Sequence, residues 1–190
     1  MEIIDLTDGY HSSPGTMKLA LGTAQLGLAN YGRTNTTGCP NQKEAIGLIR
    51  AAADEGVRFI DSARAYGLSE SRVGRALAGQ KVGCKVQEEA LNPISKTSGE
   101  YPRIQDTTVI TKLSPLAWLE EDTSPEIVRA AVEASVYNSC YNLRMRKLPV
   151  LMLHRWAHHD SHNELIWKRL KEFRQTGVIQ ELGASVYTPE

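Results

Sequence analysis

Four residues of this chain, Asp61, Tyr66, Lys112 and His154, are of the types that together move a proton onto or off an oxygen atom. A phenol is a weak acid near neutrality, so a tyrosine that donates a proton needs a neighbouring cation that favours its phenolate. Lys112 can supply that cation, Asp61 can hold the ammonium in place and keep it charged, and His154 can donate a hydrogen bond to a carbonyl oxygen. Such a set polarises a carbonyl and protonates the alkoxide as it forms, which a carbonyl reductase requires if hydride arrives from the other side.

The spacing of these residues places them on recurring elements. Lys112 closes Thr108-Val109-Ile110-Thr111, His154 closes Leu148-Pro149-Val150-Leu151-Met152-Leu153, and Asp61 follows Val57-Arg58-Phe59-Ile60, with Tyr66 a short turn later. Three successive predicted strands thus each deliver an ionisable residue at or just past their C-terminal ends, where a (β/α)-barrel builds its active site. Strand and helix signals alternate from Lys18 onward, as βα units of a parallel sheet do. Strands are predicted at Lys18–Thr23, Val57–Ile60, Thr108–Leu113, Pro149–Leu153 and Val178–Ser185. Helices are predicted at Asn41–Glu55, Ser69–Leu77 with Ser69 as a plausible cap, from Ser124-Pro125 to Leu143, and at Asn163–Thr176. Gly56 and Gly177 end two of them. Residues 81–106 exceed an ordinary αβ connection and are read as an insertion or mobile loop. Residues 1–16 precede the first strand and form either an ordered cap or a loose tail.

With hydrophobic content of 41% and 190 residues, the chain reads as one globular domain. The charges balance, 22 Lys+Arg against 22 Asp+Glu, so the basic excess that nucleic-acid binding needs is missing. Met1-Glu2-Ile3-Ile4-Asp5 is not the start of a secretory leader, and no run of apolar residues is long enough to span a bilayer. A cytoplasmic protein without nucleic-acid or membrane partners is expected. Cys39, Cys84 and Cys140 are widely spaced and encode neither a zinc knuckle nor a disulfide framework. His158, His159 and His162 lie close to His154 and could gather a metal on a helix; the stretch reads instead as an exposed loop, and no metal is assigned. The glycines after the first strand (Gly22, Gly27, Gly32) lack the Gly-Lys-Ser/Thr ending of a P-loop and are read as lining a substrate pocket.

At these residues the sequence closely resembles the aldo-keto reductases. The motif Asp61-Ser62-Ala63-Arg64-Ala65-Tyr66-Gly67-Leu68-Ser69-Glu70, followed by Gly74-Arg75-Ala76-Leu77, carries the resemblance, together with Gly22-Thr23, Thr111-Lys112 and Leu153-His154. The resemblance extends from Lys18 to the end of the chain. It implies an α/β fold of TIM-barrel type, of which about the first five βα units are present. It further implies NADP as cofactor, with NAD possible, and a small carbonyl or alcohol substrate. Tyr66 is then the general acid, tuned by Lys112 and Asp61, while His154 orients the carbonyl. Gly22, Thr23, Asp61 and Ser185 are the implied cofactor-binding positions. No Gly-x-Gly-x-x-Gly is needed, because this family binds the dinucleotide on a barrel face.

The chain also departs from the family pattern. Ser185 is followed by Val186 where the family has Ser-Asn, and the family's last three strands, with its aromatic platform and adenosine-phosphate grip, have no counterpart here. The expectation is one incomplete aldo-keto reductase-like domain over residues 1–190, able to self-associate through open barrel edges. A second reading is a non-catalytic truncated barrel serving as a binding or interaction module. A barrel lyase with Lys112 as Schiff base is disfavoured by the pairing of Tyr66 with Asp61.

Overall fold

The computed structural model describes residues 19–32, 35, 38–78 and 107–186. The segment 81–106 and residues 1–16 lie outside the described residues. Among the described residues, five parallel strands run side by side in chain order: β1 (Ala20–Gly22), β2 (Phe59–Asp61), β3 (Thr108–Lys112), β4 (Leu148–Leu153) and β5 (Ile179–Ala184). Helices α1 (Gln42–Asp54), α2 (Ser69–Ala78), α3 (Pro125–Leu143) and α4 (Leu165–Gln175) form the crossovers. This is the α/β architecture expected from the alternation of signals.

Alternation along each strand divides the side chains between two faces. Ile60, Val109 and Leu151 point toward the helices and are buried, together with Ile49 of α1, Val73 of α2, Val132 of α3 and Leu170 of α4. Asp61, Ile110, Lys112, Val150 and Met152 take the opposite parity, as the pairings Asp61↔Ile110, Ile110↔Val150 and Lys112↔Met152 show. That second face carries the ionisable residues.

Local chemistry explains two of the helix starts. Asn41 and Glu44 form a reciprocal capping box at the start of α1, with bonds of 3.0 and 2.9 Å. Pro125 occupies the first turn of α3. Two expectations change. Ser69 is the first residue of α2 rather than a cap outside it, because its hydroxyl is held by Thr23 (2.5 Å) and Ser62 (2.8 Å). Helix α4 starts at Leu165 rather than Asn163, because residues 161–164 form a tighter turn that ends with Glu164 in the left-handed region.

Gly74 is where α2 meets α3. A Cβ there would lie 2.2 Å from the Asn142 carbonyl oxygen and 2.7 Å from backbone carbon of Leu143. Backbone cannot yield as a flexible side chain does, so Gly74→Ala should destabilise by about 1–3 kcal/mol despite alanine's better helix propensity. A urea denaturation midpoint equal to or above that of the wild type would show that the two helices separate freely.

Among the described residues, β1 and β5 each have a neighbouring strand on one side only. Beside them Leu19 and Val186 are exposed. Unpaired parallel edges template further pairing. We expect the 190-residue polypeptide to self-associate in light scattering, and a monodisperse, cooperatively unfolding monomer would refute this.

Candidate active site

The ladder continues one residue past each of four strand ends. Thr23 N donates to Asp61 O (2.9 Å), Ser62 N to Ile110 O (2.8 Å), Leu113 N to Met152 O (2.9 Å) and Ser185 N to Leu153 O (2.9 Å). These bonds fix the residues that flank or carry Asp61, Lys112 and His154. One end of the sheet is therefore rigid where the ionisable groups emerge.

Lys112 is buried, 7% exposed, and a buried ammonium requires compensation. Its Nζ donates to Asp61 Oδ1 at 2.6 Å and to the Ser62 carbonyl oxygen at 3.1 Å. The same Nζ lies 5.2 Å from the centroid of the Tyr66 ring. His154 completes the group, its ring set edge-on to Tyr66 at 6.4 Å between centroids and 79° between planes. All four sequence-predicted residues thus meet at one place. Tyr31, exposed on the loop after β1, tilts toward Tyr66 with 6.3 Å between ring centroids.

Burial, then the nearby Lys112 ammonium, then His158 and Arg155, hold His154 below the usual histidine range, against a smaller opposing pull from Asp61. Its imidazole is accordingly neutral near pH 7. One nitrogen, Nδ1, is buried and has no hydrogen-bond partner among the described residues.

Tyr66 is positioned by a contact between two turns. A Cβ on Gly27 would lie 1.8 Å from the Tyr66 carbonyl oxygen, and one on Gly67 would lie 2.4 Å from the Gly27 carbonyl oxygen. Gly67 also has φ +55°, a left-handed conformation that glycine adopts without strain. Gly27 thus acts by omitting a side chain, so that the turn bearing Tyr66 can sit against the loop after β1. Arg72, buried, holds that loop from below by donating to the Leu26 carbonyl oxygen and to Cys39 Sγ (2.8 Å). Neither contact is legible in the sequence, because Gly27 is one of several loop glycines and the partners of Arg72 lie more than 30 residues away.

The positions the resemblance assigned to a cofactor divide. Gly22 ends β1 in the open, with nothing within 4 Å of where a Cβ would be. Ser185 is half-exposed and pinned beside Leu153. Thr23 is fully buried, and its hydroxyl donates to Asp61 O at 2.8 Å while bonding Ser69. Its side chain fastens β1 to β2 and α2.

The histidine-rich stretch is not a simple exposed loop. It forms two short turns, Trp156–His158 and Ser161–Glu164. His159 stacks on Trp156 at 4.6 Å and 7°, lies 5.2 Å from Trp167, and pairs with Asp160 Oδ1 at 2.5 Å. Burial holds the His158 pKa low, against a smaller upward pull from the Pro115 backbone. Aromatic neighbours at Trp156 and Trp167 were the signal that these imidazoles pack. Among the described residues no group of three or more His, Cys, Asp or Glu is arranged to hold a metal ion. No helix among them is long and apolar enough to cross a membrane.

Comparison with known proteins agrees with this geometry. The curated relative aldo-keto reductase YhdN of Bacillus subtilis is 26% identical over 175 residues, covering 91% of this chain and 44% of the relative. The chain spans about half the length of the proteins it matches. In fold it is similar to a holo-form aldo-keto reductase of Bacillus halodurans, with a TM-score of 0.60 at 22% identity, covering 90% of this chain and 47% of the other. It is likewise similar to a Bombyx mori aldo-keto reductase in complex with NADP, with a TM-score of 0.54 at 18% identity, covering 87% and 45%. The five strands therefore correspond to part of the barrel of these enzymes. The model of the aldo/keto reductase family matches residues 18–190, and the chain belongs to that family.

Proposed function

We propose that this protein interconverts a carbonyl compound and an alcohol with NADPH, NADH being the alternative dinucleotide. The observation that carries this reading is the placement of Lys112 Nζ, 2.6 Å from Asp61 and 5.2 Å from the centre of the Tyr66 ring. In the direction of reduction, the bound dinucleotide supplies the hydride. The Tyr66 hydroxyl gives its proton to the substrate oxygen, leaving a phenolate that the Lys112 ammonium stabilises. Asp61 holds that ammonium at the strand ends, and Ser62 O shares it. A neutral His154 donates an imidazole N–H to the carbonyl oxygen and fixes its direction. Gly22, with open space above it, together with Asp61 and Ser185, would hold the nicotinamide end of the cofactor. Those positions suit a flat ring and a carboxamide, as open backbone beside a half-exposed hydroxyl does.

Replacement of Tyr66 by Phe keeps the ring and removes the proton. NADPH-dependent turnover of an aldehyde panel should fall on the order of 10²- to 10⁴-fold, or about 3–5 kcal/mol of barrier, with cofactor affinity nearly unchanged. Undiminished turnover would remove Tyr66 from the mechanism.

The neutral state assigned to His154 also has a thermodynamic consequence. His154 and His158 both titrate below their unfolded range in the native protein, so below about pH 6.5 the unfolded chain binds protons that the folded one does not. Their contribution is intact above that pH and is lost as the pH falls toward the folded values. The melting temperature should therefore drop between about pH 7 and pH 5.5, and less steeply in a His154→Gln, His158→Gln double variant. Identical slopes in the two proteins would contradict burial as the cause.

A further inference from the structure

The fully buried carboxylate of Glu70, 1% exposed, is a charged group that the proposed chemistry does not use. It lies in the first turn of α2, on the helix side of the sheet. Three elements converge on it. Arg64, from the turn that carries Tyr66, donates Nη1 to Glu70 Oε2 at 2.8 Å. Thr111 of β3 donates its hydroxyl to Oε1 at 2.8 Å, and Asn142 of α3 approaches Oε2 at 3.4 Å. Thr111 is the residue before Lys112, and successive side chains on a strand face opposite ways. Thr111 therefore meets Glu70 behind the sheet, while Lys112 meets Asp61 in front of it.

Arg64 closes the loop, because its backbone N–H donates to the Lys112 carbonyl oxygen at 3.2 Å while its guanidinium grips Glu70. The turn is short. Tyr66 N donates to Ala63 O, and Ser69 N donates to Tyr66 O, both at 3.0 Å, so Tyr66 cannot move independently of Arg64 or α2. A carboxylate anchored on both sides of this junction fixes the separation of Tyr66 from Lys112 from the face opposite the chemistry.

We propose that Glu70 is a positioning residue: through Arg64 and Thr111 it holds the Tyr66 ring and the Lys112 ammonium in register. A buried acid serving only as filler would need one compensating cation. This one spreads its two oxygens over the three elements that must stay aligned. As an account of catalysis the proposal rests on the carbonyl-reductase reading; as an account of geometry it does not.

The test uses Glu70→Gln, which keeps volume and removes charge, and Thr111→Val, a gentler change that removes one donor. Glu172→Gln, on the exposed α4 surface, serves as control. The protein is labelled with fluorotyrosine, the Tyr66 resonance is assigned with Tyr66→Phe, and its fluorine spectrum is followed against pH. Both Glu70→Gln and Thr111→Val should shift or broaden the Tyr66 signal and displace its titration, with Glu172→Gln silent. Turnover should fall about 10- to 100-fold, carried by kcat with KM changed far less, as expected when reacting groups are misplaced by a fraction of their contact distance. If Glu70→Gln does not fold, Thr111→Val alone decides. An unaltered Tyr66 signal in a folded variant overturns the proposal, even if the melting temperature has dropped. A perturbed signal in a protein that reduces no carbonyl supports the clamp and counts against the reductase reading instead.

Discussion

A buried ammonium dictates the organisation of this site. Lys112 points to the side of the sheet away from the helices and is buried there, and an uncompensated charge at such a depth would cost several kcal/mol. Asp61 on the neighbouring strand and the Ser62 carbonyl supply the compensation. That pairing is possible only because β2 and β3 lie in a register that brings the end of one alongside the end of the other. Breaking the register by one residue would turn Asp61 toward the helices and leave Lys112 unpaired. The ion pair and the sheet register therefore enforce each other.

The polar residues next to the site divide by face in the same way. On the inner side lie Asp61, Lys112 and His154; on the helix side lie Thr23, Ser62, Ser69, Glu70 and Thr111, all buried and all hydrogen-bonded to one another or to backbone. Buried hydroxyls and carboxylates are costly unless satisfied, but once satisfied they fix orientation more sharply than apolar packing does. Chain neighbours alternate between the two sets: Asp61 with Ser62, Thr111 with Lys112. Asp61 and Lys112 are thus each backed by a tethered side chain.

How much of this could be read from the sequence follows from which forces act locally. Strand type and order, and the gathering of Asp61, Lys112 and His154, were legible because period-two burial and the position of a residue at a strand end are local signals. Tyr66 was legible through the motif around it. The roles of Gly27, Arg72 and the Thr23 hydroxyl were not, since each acts on a partner about 40 or more residues away: Tyr66 lies 39 positions beyond Gly27, and Arg72 reaches back 46 to Leu26. Helix α2 starts at Ser69 as its sequence suggests, and only the capping role of that residue differs. Ser69 has the composition of a cap, but distant hydroxyls of Thr23 and Ser62 claim it.

The histidine stretch after β4 shows the same principle with aromatic rather than polar partners. Histidines beside charged residues suggest solvent, yet His159 lies flat on Trp156 and against Trp167. Stacking of this kind adds to the apolar area buried and favours one ring orientation. The turns after β4 are thereby held by ring contacts although none of their described residues is buried. His154 opens this segment: the strand-end bond from Ser185 N to Leu153 O fixes the backbone just before it, and its ring stands edge-on to that of Tyr66 at 6.4 Å.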